Sequence, residues 1–357
     1  MPYPDRRNAE SDFVTPFPLE HPLIKRILAA CIAMGALGAA PALAQQQTLL
    51  NSSYDIAREL FSAINPKFQA YWKAKTGQDV TIEQSFGGTS RQAQAIMQGL
   101  KADTVTFNQV PDVEVLARRG LVSKDWQKQF PNNSSPYYST IAFLVRKGNP
   151  KQIKTWDDLV RDDVKVVFPN PKTSGNARYT YLAAWLYALE KFKGDEAQTR
   201  AFVAKLLRNV ESFPTGGRGA TVAFAQNNQG DAVLTFESEV NNIAASDEFK
   251  ALELQPVVPP VSVLAEFPVA VVDKVVDAAG KRALAEAYLR YQYEPEAQAV
   301  LAGFNYRVRD PNVVKANAQR FPEVRLINPQ EVLGSWEQIQ QTHFGSGGVL
   351  DQLLAGR

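Results

Sequence analysis

At 357 residues, 45% apolar and 21% charged, the chain has apolar material for one large or two medium globular domains. A formal net charge of +2, with no basic run interleaved with aromatics, argues against nucleic acid or an anionic membrane as partner. Beyond residue 44 there is no cysteine and a single histidine, His343, which excludes a disulfide scaffold, a cysteine-based zinc site and a thiol nucleophile.

The N-terminus differs from the rest. Lys25-Arg26, an apolar run from Ile27 to Ala40 and Pro41-Ala42-Leu43-Ala44 have the form of a secretory signal peptide cut after Ala44, with residues 1–44 removed. Leu28-Ala29-Ala30-Cys31 has the look of a lipoprotein box, but it follows Arg26 too closely to leave room for an apolar core. No later segment reaches the roughly 18 apolar residues of a membrane span, so an exported, periplasmic product is expected.

Thr48 to Ser53 reads as a first strand. A helix follows from near Asp55, with Leu60, Phe61, Ile64, Phe68, Tyr71 and Trp72 at helical spacing and Pro66 expected to kink or restart it. Val80–Phe86 alternates as a second strand, and Gly87-Gly88-Thr89-Ser90 opens a helix running to about Lys101. A strand over 102–107 and a helix over 113–119 complete a βαβαβα order, which implies a parallel sheet covered by helices. Residues 139–146 read as one long apolar strand, and Val164–Phe168 as another. Pro169 to Arg178 is a strand-to-helix turn before the helical run Tyr179–Leu189. A helix over 195–209, a strand over 210–213 and Thr215-Gly216-Gly217-Arg218-Gly219-Ala220-Thr221 repeat the pattern. After a strand at 231–236 and a helix from Glu237, residues 261–272 form a second long apolar run, which pairs with the first as a crossing between two lobes. Helices follow at 278–293 and 295–303, and the tail from Asn312 reads as helical.

Three strand-to-helix turns therefore carry Gly with Ser or Thr, at 87–90, 173–176 and 215–221. Ligands of open α/β sheets sit at such ends, and helix N-termini offer unpaired N–H groups to anions. Taken singly, Ser before a helix is a cap and Gly a turn. Taken together, the turns supply only donors, with Thr89 and Ser174 adding hydroxyls. No carboxylate lies within them, so sulfate suits the set better than a protonated phosphate, whose O–H would lack an acceptor at a cost of about 1–3 kcal/mol. Asp55 would add its backbone N–H, with its side chain capping the helix. Arg91, Arg178 and Arg218 are expected in outer or structural positions. A triad would have to use His343, and without a G-x-S-x-G elbow that residue reads as a surface histidine. No metal, cofactor or catalytic group is expected.

Ser53-Tyr54-Asp55, Lys75-Thr76-Gly77 with Gln84-Ser85, Arg146-Lys147-Gly148-Asn149-Pro150-Lys151 and Pro169-Asn170-Pro171-Lys172-Thr173-Ser174-Gly175 together carry a resemblance. The chain resembles the periplasmic sulfate-binding and thiosulfate-binding proteins of bacterial ABC importers, over about Leu50 to Leu354. The resemblance implies an α/β, two-lobed periplasmic binding protein of type II. Each lobe would be a mainly parallel sheet flanked by helices, with two hinge crossings. Lobe 1 would span 45–141 plus 263–312 and lobe 2 142–262, with 313–357 packing on both. Family contacts to the anion fall on Asp55 (backbone), Thr89, Ser174, Gly175, Asn176 and Gly217, with Ser90 and Arg218 outside them. Where the family has a Trp that donates its indole N–H, this chain has Phe236, and an unreplaced charge-assisted bond costs about 1.5–3 kcal/mol. The function implied is capture of sulfate or thiosulfate by a monomer and delivery to a membrane ABC permease, with no chemistry performed. A binding protein for molybdate or phosphate, and an enzyme acting on an anionic substrate, are the alternatives.

Overall fold

A computed structural model describes residues 47–356, so the signal-peptide assignment at 1–44 lies outside the described residues. The first sheet begins with β1 (Gln47–Ser53), β2 (Val80–Phe86) and β3 (Thr104–Thr106). β1 runs parallel to both others, pairing Leu49 with Ile82 and Ser52 with Val105. Its second half is buried on both faces, as a parallel strand under helices must be. The crossover helices are α1 (Arg58–Thr76), α2 (Thr89–Met97) and, after β3, α3 (Val110–Arg118). Pro66 lies inside an unbroken α1: Leu60, Phe61, Ile64 and Phe68 are buried along one face and hold the helix through the missing N–H. α2 stops short of Lys101 because Gly99 turns left-handed (φ 118) and Leu100 N–H closes on the Ala95 carbonyl.

The chain then leaves through β4 (Tyr137–Ser139) and enters the second sheet at β5 (Ile141–Val145). The long strand expected over 139–146 is thus two strands that meet at Thr140. There the hydroxyl donates to the Val263 carbonyl (2.8 Å) and the carbonyl accepts the Glu237 N–H (2.7 Å). β6 (Val166–Val167), β7 (Val210–Ser212), β8 (Ala232–Phe236) and β9 (Gln255–Val257) complete that sheet in the order β7-β6-β8-β5-β9. β6 is parallel to β7 and β8, whereas β5 is antiparallel to β8 and β9, so this sheet is mixed. Helices α4 (Gly175–Lys191), α5 (Glu196–Arg208), α6 (Gly217–Thr221, continued by a π-helical turn Val222–Gln226) and α7 (Glu237–Ala245) cover it.

The return path is β10 (Val261–Val263), β11 (Ala265–Phe267) and β12 (Val269–Val271), interrupted at Leu264 and Pro268. β11 pairs antiparallel with β4, Ala265 opposite Ser139 and Phe267 opposite Tyr137, which is the expected pairing of the two crossing segments. β12 closes the first sheet against β3. The helix expected over 278–293 is two, Asp273–Ala279 and Arg282–Tyr291, split where Gly280 adopts φ 65. β13 (Arg307–Val308) joins β4 ahead of the tail, and the tail is not all helical: β14 (Arg325–Ile327) runs parallel to β10.

Two buried clusters hold the crossings and the tail. Phe267 sits amid Tyr54, Tyr137, Phe236 and Tyr306, with ring centroids 5.3, 5.2, 5.0 and 5.3 Å away. The Tyr54 hydroxyl meets those of Tyr137 (3.2 Å) and Tyr306 (3.0 Å), so the polar ends of these rings satisfy one another inside the core. His343, expected at the surface, is buried: its Nδ1 meets the Tyr181 hydroxyl at 2.9 Å, and Trp185 and Phe344 pack around the ring. Burial, with Arg200 nearby, pulls its pKa down to about 4.

Phe267→Ala is expected to cost about 3–5 kcal/mol in denaturant unfolding, as for a large ring removed from a filled core; a loss below about 1 kcal/mol would mean the cluster collapses around the gap. Since His343 must stay neutral when folded, its contribution is present above its ordinary pKa of 6.5 and is lost as pH falls toward about 4. A His343→Gln variant, followed by thermal melts at pH 7 and pH 4, should lose less stability on acidification than the parent chain.

Candidate functional site

The turn before α4 is built by its own sequence. The Asn170 carbonyl accepts the Thr173 and Ser174 N–H groups (both 3.0 Å), and its side chain accepts the Lys172 N–H (2.9 Å). The helix then starts at Gly175, and its first internal bond is Arg178 N–H to the Ser174 carbonyl (3.2 Å). The N–H groups of Gly175, Asn176 and Ala177 consequently have no intrahelical acceptor. Ser174 stands at the N-cap, yet its side chain makes no capping bond. Its hydroxyl is therefore not spent on the role that Ser usually has at this position.

Two further helix starts repeat this arrangement. In α2 the Gly88 carbonyl accepts from Arg91 and Gln92 (2.9 and 3.0 Å), leaving the N–H groups of Thr89 and Ser90 at the open end. In α6 the first bond is Ala220 N–H to the Gly216 carbonyl (3.1 Å), leaving Gly217, Arg218 and Gly219. Asp55 opens a 3-10 turn whose internal bond is Ala57 N–H to the Tyr54 carbonyl (3.2 Å). Its carboxylate accepts the neighbouring Ile56 N–H (3.0 Å) instead of capping α1.

These four starts come together. The Thr173 hydroxyl donates to the Thr215 carbonyl (2.9 Å), which joins the α4 and α6 turns. A Cβ at Gly88 would stand 3.8 Å from the Thr173 carbonyl, and one at Gly216 would stand 3.5 Å from Asp55 Oδ2. A Cβ at Gly175 would lie 2.7 Å from Gln109 Cδ and 2.8 Å from Asn108 Oδ1, too close for any residue but glycine. The turn carrying Asn108 and Gln109, between β3 and α3, is a fifth member that the sequence reading passed over because it holds no glycine. Three helix starts, each with first-turn N–H groups that lack an intrahelical acceptor, thus lie close together, an arrangement that would suit an anion.

The remaining predicted residues divide. Thr89 is buried and its hydroxyl donates to Asn108 Oδ1 (2.9 Å). Ser90 donates to Asp112 (2.9 Å) and accepts from Gln109 (3.1 Å), which puts it among supporting groups. The Asn176 side chain turns away to Thr235 Oγ1 (2.6 Å) and Glu239 (3.2 Å), so only its backbone faces the helix end. Arg91 is exposed. Arg178 reaches the Pro171 carbonyl (3.0 Å) and Gln109 Oε1 (3.3 Å), a structural link between two turns. The Arg218 side chain is largely exposed and meets Glu59 at 3.6 Å. Phe236 is fully enclosed, packed on Phe267 and Tyr179.

One carboxylate was missed. Glu239 is buried beside Gly217, where a Cβ would stand 3.0 Å from Oε1 and 3.1 Å from Oε2. It accepts hydrogen bonds from Asn176 and Thr235. Burial raises its pKa to about 7, with Asp55 adding to the shift and Thr235, Arg218 and Thr221 opposing it. The turns themselves contain only donors, as expected, but the cluster behind them does not. Thr235 lies in β8 and Glu239 in the first turn of α7, so no periodicity of the sequence links the two. Among the described residues no group of acidic, His or Cys side chains has the arrangement of a metal site, and no helix is long and apolar enough to cross a membrane.

The model of the bacterial extracellular solute-binding protein family matches residues 55–307. The thiosulfate-binding protein of Escherichia coli is 54% identical over 87% of this chain and 92% of its own. The sulfate-binding protein of Salmonella typhimurium is 46% identical over 87% of this chain and 94% of its own. Among solved structures, the sulfate-binding protein SubI from Mycobacterium tuberculosis is 30% identical with a TM-score of 0.74, covering 84% of this chain and 100% of that one. With its fold, its converging helix ends and these relatives in agreement, the chain belongs to the bacterial extracellular solute-binding proteins, in the family that includes the thiosulfate- and sulfate-binding proteins.

Proposed function

We propose that this chain is exported, captures sulfate or thiosulfate where the helix starts converge, and delivers it to a membrane ABC permease. The observation that carries the reading is the set of N–H groups at Asp55, Thr89, Gly175, Asn176 and Gly217, with the Ser174 hydroxyl uncommitted beside them. In this reading lobe 1 (45–141 plus 263–312) supplies Asp55 and Thr89, lobe 2 (142–262) supplies the rest, and 313–357 packs on both. The two crossings act as the hinge. Contact between the turns of the two lobes is the closed arrangement that the permease would recognise.

Thiosulfate is favoured over sulfate at one position. Phe236 has no N–H to give, and a terminal sulfur, a weaker acceptor than oxygen, loses less by its absence. The relative at 54% identity is named for thiosulfate. Phosphate and molybdate remain the competitors within the same class of ligand.

Equilibrium titration of the chain lacking 1–44 should give saturable binding of sulfate and thiosulfate, with thiosulfate displacing sulfate; no saturable binding of either to folded protein would end this reading. Gly175→Ala should lower the melting temperature and weaken both anions by about tenfold or more, because the added methyl would hold the turns apart at Asn108 and Gln109.

A further inference from the structure

Two buried glutamates lie two residues apart on α7, and they differ in one respect. Glu237 is paired in a fork with Arg307, at 2.6 and 2.9 Å, so its charge is balanced where it sits. Glu239 has no cation within ion-pair distance among the described residues. Its neighbours are two hydroxyls (Thr235 and Thr221), an amide (Asn176) and the backbone of Gly217. The charged and titratable groups around it do not supply a partner. Asp55 faces it from the 3-10 turn and adds negative charge. Tyr306 faces it from the strand side. Arg218, the one nearby cation on α6, points outward to Glu59. Glu59, Arg218, Thr221 and Tyr306 share with Glu239 the wall of a cavity of about 580 Å³ on the far side of the α6 turn.

A buried carboxylate without a counter-ion is costly, and the usual outcome is that it takes up a proton. A dianion held at the Gly217 turn raises that cost further by repulsion. We propose that Glu239 is a positioning residue of the anion site that acts as a neutral carboxylic acid: it holds Asn176 and Thr235 against the α6 turn without placing negative charge beside the ligand. Oε2 accepts from both Asn176 and Thr235, and the Thr221 hydroxyl is a further partner of this carboxyl group. Tying the Asn176 amide to this acid keeps the side-chain carbonyl of Asn176 out of the cleft, so the helix end presents donors alone. The lowered cost of the neutral form agrees with the pKa near 7 before any anion is bound.

This inference rests on the anion reading above, and two measurements separate them. Infrared difference spectra of the chain lacking 1–44 against Glu239→Gln, recorded with and without thiosulfate, should show at pH 6 the carbonyl stretch of a protonated carboxylic acid that the variant lacks. Bound thiosulfate should keep that band present at pH 8. In titrations, Glu239→Gln, neutral and of the same shape, should hold thiosulfate within about threefold of the parent, whereas Glu239→Ala should lose about tenfold or more. If no band is lost in Glu239→Gln at pH 6, or if Glu239→Gln binds as poorly as Glu239→Ala, the proposal is wrong. Should the parent chain bind neither sulfate nor thiosulfate, the anion reading fails, and the pH 6 band still decides whether Glu239 is neutral.

Discussion

Backbone N–H groups at the first turn of a helix have no partner of their own, and in this protein several such groups are buried at one point. Each orphaned donor costs about 1–3 kcal/mol if nothing meets it. Bringing three helix starts and a 3-10 turn together concentrates that cost, and one compact group with many acceptors relieves it at once. The packing around the turns follows from this. Gly175 and Gly217 lack side chains where Gln109, Asn108 and Glu239 press in. Ser174 keeps its hydroxyl free. Arg178 is placed sideways, on carbonyl and amide oxygens, and not at the helix ends. The cations nearby thus serve the scaffold.

The second dependence is mechanical. The helix starts come from two sheets, and the chain passes between them at Thr140 and along β10 to β12. Phe267 and the tyrosines Tyr54, Tyr137 and Tyr306 pack where those passages meet, and Tyr54 directly precedes Asp55. The Asp55 turn is therefore tied to the crossings through one intervening peptide.

Much of this was legible in the residues. The strand and helix order of the first sheet and the three Gly turns follow from periodicity and turn chemistry, because each depends on neighbours in sequence; the pairing of the crossing segments was suggested by their shared long apolar character. What escaped depends on neighbours in space. Pro66 does not break α1, since a buried apolar face outweighs one lost hydrogen bond. His343 is enclosed by Tyr181 and Trp185, residues on a helix far away in the chain. Asn108 and Gln109 carry no turn signature, and Glu239 sits in an ordinary helical run until the fold brings it under Gly217. The absence of carboxylates from the turns was read correctly, but an absence along the sequence is not an absence in the volume behind it.

The closure of the first sheet by β12 has a consequence for how the molecule comes into being. β3 waits for a partner at Val269–Val271, and β10 waits for one at Arg325–Ile327. Neither edge can be covered until most of the polypeptide exists, and contacts so distant in sequence make folding slow. Until the chain has been made as far as Val271, the first sheet keeps its β3 edge unpaired.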